Sequence, residues 1–300
     1  MTLPERYRAG DVRALARLIS LVEDGDPAAE PLLAELAAEP RRAPVVGLTG
    51  PPGAGKSTLA GALVAHWRGQ GRRVAVLAID PSSPRSGGAA LGDRLRLGRH
   101  FTDPGVYIRS MAARGWPGGL AAAAARVTAL LAGFGFDLVL VETVGVGQAE
   151  IDVVGLADAV VVAQAPGAGD EVQALKAGLL EVADIIAVTK ADQPGAAQLA
   201  AQLRALVVPA AGPPPPVVLT SAVTGQGIAG LAAAIDAHRP AAGAPPDYAA
   251  ALAQILTLAV AEARRRLATS PALPRLARRV AAGELTAAAA AHTLISGEPE

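Results

Sequence analysis

Short apolar runs alternate with amphipathic stretches through most of this chain. From Val45 to about Ile235 the apolar runs fall at 45–49, 74–79, 106–109, 137–142, 159–163, 184–189 and 216–220. They are rich in Val, Leu and Ile with little two-residue alternation, as expected of strands covered on both faces. The pattern predicts an α/β domain over 44–240, with a mostly parallel central sheet flanked by helices. A ligand site then belongs at the carboxyl ends of the strands. Ahead of it, residues 1–43 read as a helical extension with helices at Asp11–Val22 and Pro27–Glu39. Val12, Leu15, Ala16, Ile19 and Val22 give the first helix one apolar face. Asp26 is placed to cap the second, with Pro27 at its first position. Pro213 to Pro216 form a stiff connector before the last run. Past Arg239, the stretch Pro240–Pro246 reads as a linker opening a segment, 241–300, with helices over 248–268, 272–282 and 285–295. Leu252, Ile255, Leu256 and Leu258 to Val260 give this tail an apolar side that must pack on the core or on another subunit.

The turn after the first apolar run carries the strongest chemical signal. Gly50-Pro51-Pro52-Gly53-Ala54-Gly55-Lys56-Ser57-Thr58 fits Gly-x-x-x-x-Gly-Lys-[Ser/Thr] between a predicted strand and a predicted helix. That is a phosphate-binding loop (P-loop): its glycines turn backbone N–H groups inward, and the helix dipole adds positive potential. Lys56 is placed for the β- and γ-phosphates of a nucleoside triphosphate, and Ser57 for Mg²⁺. Glu142 ends the 137–142 run and fits a Walker-B role toward Mg²⁺. Gly145 allows a backbone N–H near the γ-phosphate, and Gln148 is a candidate water-positioner. Asp80 and Asp93 lie in a Gly-, Pro- and Ser-rich stretch as further Mg²⁺ or metal-water candidates; a turn-capping role is the alternative for Asp80. Arg94 and Arg109 are either charge-stabilising or simply ion-paired.

Base recognition is expected at Thr189-Lys190-Ala191-Asp192, where GTPases usually carry Asn-Lys-x-Asp. The Asp192 carboxylate suits guanine N1–H and N2–H₂, a donor pair that adenine lacks. Thr189 stands where Asn is usual, keeping a polar group but losing the amide's reach. Ser221 and Ala222 fit the loop whose backbone N–H meets guanine O6.

Composition narrows the partners. Lys+Arg and Asp+Glu stand at 27 each, so no bulk field draws the chain to nucleic acid or anionic lipid. There is no cysteine, which removes thiolate metal sites and Cys nucleophiles. No signal-peptide core follows Met1, and no apolar stretch approaches a membrane span; a cytoplasmic protein is expected.

Several further stretches resemble one family, the methylmalonyl-CoA mutase-associated GTPases (bacterial MeaB/ArgK-type proteins and their mitochondrial counterpart). They are Arg13–Glu23, Asp80–Ser83, Gly92–Arg94, Ile108–Gly115, Glu142–Gln148, Ala165–Gly178 and Glu181–Asp184. The resemblance implies a SIMIBI-class GTPase that chaperones an adenosylcobalamin-dependent acyl-CoA mutase, gating cofactor loading with GTP, GDP and Mg²⁺. It further implies Mg²⁺ contact by Ser57, with Asp80, Asp93 and Glu142 in or near the metal's shell. A third switch at 165–178, with Asp170, Gln173 and Lys176 as contacts, and a homodimer through the C-terminal helices are implied as well. From the residues alone, Asp170 and Glu171 read as helix caps. Two rivals remain: a metallocentre-assembly GTPase, disfavoured by the missing cysteines and four scattered His, and a P-loop kinase or ATPase linked to basic amino-acid transport.

Overall fold

The computed structural model describes residues 1–38, 43–80, 100, 102–112, 120–143, 157–167, 180, 182–207, 213–238, 252, 255–256, 259–260, 262–263 and 266–296. All seven apolar runs form strands: β1 (Val45–Thr49), β2 (Val74–Asp80), β3 (Val106–Ala112), β4 (Leu138–Thr143), β5 (Ala159–Gln164), β6 (Ile185–Val188) and β7 (Val217–Leu219). They make one sheet in the order β3-β2-β4-β1-β5-β6-β7, every pairing parallel. β1 is central, held by β4 through Leu48↔Glu142 and by β5 through Thr49↔Val162. The chain leaves β1 toward β2 on one side, and β5 to β7 fill the other. The carboxyl end of β1 therefore sits at the switch point where α/β sheets place their ligands.

Alternation along the strands splits the core into two layers. One face is covered by α4 (Lys56–Gly69) and α7 (Ile228–His238), whose Leu63, Trp67 and Leu231 pack on Leu48, Leu140 and Val161. The other is covered by α2 (Val12–Glu23), α5 (Leu120–Gly133) and α6 (Ala196–Leu206), which bury Leu77, Val141, Ile186 and Val188.

The N-terminal helices belong to this second layer. Asp11 caps α2 through the N–H groups of Arg13 and Ala14. Its buried face is Ala14, Leu15, Leu18, Ile19, Leu21 and Val22. Val12, expected on that face, is 45% exposed at the first helical position. Asp26 caps the next turn as expected, but that turn is 3-10 over Pro27–Ala29 before α3 (Glu30–Ala38) begins. A further helix, α1 (Leu3–Arg8), carries a full capping box from Thr2 and Glu5. Its Tyr7 is buried, packs on Phe134, and donates its hydroxyl to Leu130 O at 2.7 Å. Near the other end, α8 (Leu273–Ala281) and α9 (Ala287–Ser296) pack on each other. The linker and most of 248–268 lie outside the described residues; Leu252, Ile255, Leu256 and Val260 are exposed on this chain. No described helix is long and apolar enough to cross a membrane.

Candidate functional site

The loop from Gly50 to Gly55 leaves the end of β1 and enters α4 with Gly55 as its N-cap. Gly50 has φ +139°, and a Cβ there would lie 2.2 Å from Ala163 O on β5. Only glycine lets the backbone pass this close, so the first residue of the loop is pressed against the neighbouring strand. Lys56, buried at the first position of α4, donates from Nζ to Gly50 O at 2.6 Å and Pro51 O at 3.0 Å. The ammonium is thus held inside the ring of the loop, where a phosphate oxygen would compete with the two carbonyls for it.

Ser57 and Glu142 meet across β1. The Ser57 hydroxyl donates to Glu142 Oε1 at 2.5 Å, and both residues are buried. Alternation on β4 puts Glu142 on the α4 face, beyond Leu138 and Leu140. The pairing puts a carboxylate beside the first-turn serine of the loop helix. These are hard oxygen donors, a set that suits Mg²⁺, which keeps several waters and takes one or two protein ligands. Among the described residues no cluster of three or more His, Asp or Glu offers a rival metal site. Asp80 ends β2 one position past Ile79, which pairs with Thr143, so its backbone reaches the same edge. Its side chain, with Asp93, Arg94, Gly145, Gln148, Asp170, Gln173 and Lys176, lies outside the described residues.

At the β6 end, Thr189 is buried, and its N–H donates to Gln164 O at 2.7 Å. Its hydroxyl faces two carbonyls, Ala54 O at 2.6 Å and Gln164 O at 3.0 Å. Lys190 follows with φ +52°, the positive-φ non-glycine among the described residues. Ala191 N–H donates to Thr220 O, which joins this turn to the β7 end, and Asp192 is exposed beside it. Ser221 is buried, with its N–H committed to Gln226 O at 2.9 Å and its Oγ accepting from Thr224 N–H. Ala222 follows it, half-buried. The phosphate loop, Glu142, the 189–192 turn and the 221–222 loop therefore share one edge of the sheet.

Arg109 is not among them. On β3 it donates to Glu23 and Ser20 of α2, tying the N-terminal layer to the edge strand. Burial alone would pull its pKa down, but the Glu23 carboxylate outweighs that and holds the guanidinium above its ordinary value.

Three polar residues were not singled out by the motifs. Thr143 donates its hydroxyl to Thr49 Oγ1 at 3.0 Å, closing the ends of β4 and β1 on the face away from α4. Gln164 is 1% exposed, and among the described residues neither amide atom has a partner. The available signal was a polar residue ending an otherwise apolar, doubly covered strand.

Comparison with known proteins agrees with this geometry. The family profile of "Methylmalonyl Co-A mutase-associated GTPase MeaB" matches residues 15–264. A Mycobacterium tuberculosis protein named "Probable GTPase" is 39% identical over 98% of this chain and 93% of its own. A protein of Pyrococcus abyssi, also named as a GTPase, is 49% identical over 79% of this chain and 75% of its own. Among solved structures, one named "LAO/AO transport system kinase" aligns with TM-score 0.63 and 26% identity, over 98% of this chain and 96% of that one.

Proposed function

Because the chain belongs to the methylmalonyl-CoA mutase-associated GTPase MeaB family, we propose that it is a Mg²⁺-dependent GTP hydrolase that gates adenosylcobalamin loading into an acyl-CoA mutase. The observation that carries the enzymatic half is the buried Ser57–Glu142 pair beneath an intact phosphate loop. In this reading Lys56 exchanges Gly50 O and Pro51 O for β- and γ-phosphate oxygens, gaining charge-assisted bonds in place of neutral ones. Loop N–H groups from Gly53 to Thr58 and the α4 dipole hold the rest of the phosphate charge. Ser57 and Glu142, with Asp80 and Asp93, would hold Mg²⁺ or its waters. When bound, that ion offsets charge developing on the transferred phosphoryl group. Gly145 supplies a backbone donor to the γ-phosphate and Gln148 orients the attacking water. Asp192 reads guanine N1–H and N2–H₂, the Lys190 stem covers the base, and the O6 contact falls to Ala222 because the Ser221 N–H is already bonded.

The mutase half rests on the family's name and on the 165–178 stretch. The exposed Leu252, Ile255, Leu256 and Val260 support a homodimer formed through the C-terminal segment. Competition among GTP, GDP and ATP tests the first half, with guanine preference expected; ATP preference would overturn it. Co-purification with a cobalamin-dependent mutase, and GTP hydrolysis stimulated by that mutase, tests the second. A kinase reading has one observation in its favour, the likeness to the LAO/AO transport system kinase. Phosphoryl transfer from radiolabelled GTP to a protein or basic amino acid, in place of release to water, would decide for it.

A further inference from the structure

Thr189 occupies the position where a base-reading amide is expected, yet its polar group points elsewhere. A threonine hydroxyl has a single hydrogen to donate. Here that hydrogen is shared between Ala54 O of the phosphate loop and Gln164 O at the end of β5, at 2.6 and 3.0 Å. The backbone repeats the tie, with Thr189 N–H on Gln164 O at 2.7 Å. The residue before Gln164 is the one against which Gly50 is pressed, so β5 has no slack on its other side. The base-reading turn, β5 and the phosphate loop are therefore joined at one buried hydroxyl.

We propose that Thr189 is a positioning residue, a brace that fixes the phosphate loop relative to the base-reading turn without itself contacting the base. This rests on the guanine-nucleotide reading of the site. Guanine presents N7 and O6 as acceptors on the edge away from Asp192's donor pair. A donor at position 189 could read N7 only with a free hydrogen, and the one hydrogen available is already committed to the carbonyls. Base selectivity then rests on Asp192 and on backbone donors, and position 189 leaves N7 unread. An asparagine at 189 would bring two N–H donors, enough to satisfy a carbonyl and reach a base acceptor together.

The test compares GTP with 7-deaza-GTP, in which N7 is replaced by C–H, by equilibrium binding to the full-length chain. Wild type should bind the two within about twofold, since no hydrogen bond is lost. Thr189→Val should weaken GTP, GDP and 7-deaza-GTP by one common factor of about five to ten, through loosening of the loop. Thr189→Ser should restore all three affinities, and Thr189→Asn should create a preference for GTP over 7-deaza-GTP. A wild-type loss of tenfold or more on 7-deaza-GTP would overturn the proposal without help from any variant. So would unchanged GTP affinity in a folded Thr189→Val. Failure of wild type to bind any guanine nucleotide would instead remove the functional reading beneath it.

Discussion

Replacing Gly50 by alanine would place a methyl carbon 2.2 Å from Ala163 O, 3.1 Å from its carbonyl carbon and 3.2 Å from its nitrogen. Carbon–oxygen contact is comfortable only beyond about 3.3 Å, so β1 and β5 would have to part by roughly 1 Å. They are bound into one parallel ladder at Thr49↔Val162 and cannot part freely. Overpacking of this kind costs about 1–3 kcal/mol. Holding a non-glycine residue at φ +139° adds about 1–3 kcal/mol. The expected loss is therefore about 2–6 kcal/mol, a large share of a domain stability of about 5–15 kcal/mol. Gly53 is the internal control. It too has positive φ, +75°, but a Cβ there meets nothing within 4 Å, so Gly53→Ala should cost about 1–2 kcal/mol. Thermal unfolding followed by far-UV circular dichroism reads both, at roughly 2–4 °C per kcal/mol for a chain near this size. Equal melting temperatures for the two variants would refute the argument, because the contact with Ala163 and the less accessible φ both single out Gly50.

Three other outcomes follow from contacts already described. On the Mg²⁺-dependent reading proposed above, Ser57→Ala should slow GTP hydrolysis by at least about tenfold and raise the Mg²⁺ concentration giving half-maximal activity, and the lost donor to the buried Glu142 should cost about 1–3 kcal/mol. Tyr7→Phe should cost about 1 kcal/mol in urea unfolding by removing the donor to Leu130 O, with the transition remaining single because α1 shares the sheet's core. Arg68 and the Gly105 N–H hold the Asp103 carboxyl below its ordinary value of 3.8, so the ion pair's support is present above that pH. It is lost as pH falls through the depressed folded value; melting curves taken from pH 6 downward should therefore flatten at the acid end in Asp103→Asn.

Local chemistry made the sheet legible. Each of the seven runs is continuous and rich in Val, Leu or Ile, and each became a strand, with β1, β4, β5 and β6 buried along their whole length and the edge strand β7 half-buried. The phosphate loop and Glu142 were legible for the same reason, since spacing along one segment decides their placement. What escaped was either weakly signalled or decided by distant partners. α1 went unread, because a six-residue helix has little apolar periodicity and its Thr2–Glu5 capping box stands clear only once the helix is seen. Residues 1–43 read as a helical extension ahead of the nucleotide-binding core, and Leu15, Leu18 and Ile19 share one buried cluster with Val139 and Val141 of that core. No local pattern could announce a contact so remote. Thr189 shows the same limit at the site: its polarity was visible, but its direction depends on carbonyls 25 and 135 positions away.

The burial of Tyr7 also bears on how the protein is made. Its hydroxyl acceptor, Leu130, lies 123 positions downstream. A ribosome adding about 5–20 residues per second needs roughly 6–25 s to deliver it. Throughout that interval the apolar face of α2 has neither α5 nor β4 to cover it. Docking of residues 1–38 onto the sheet is thus timed by the emergence of α5, and a holdase would act on that segment in the meantime.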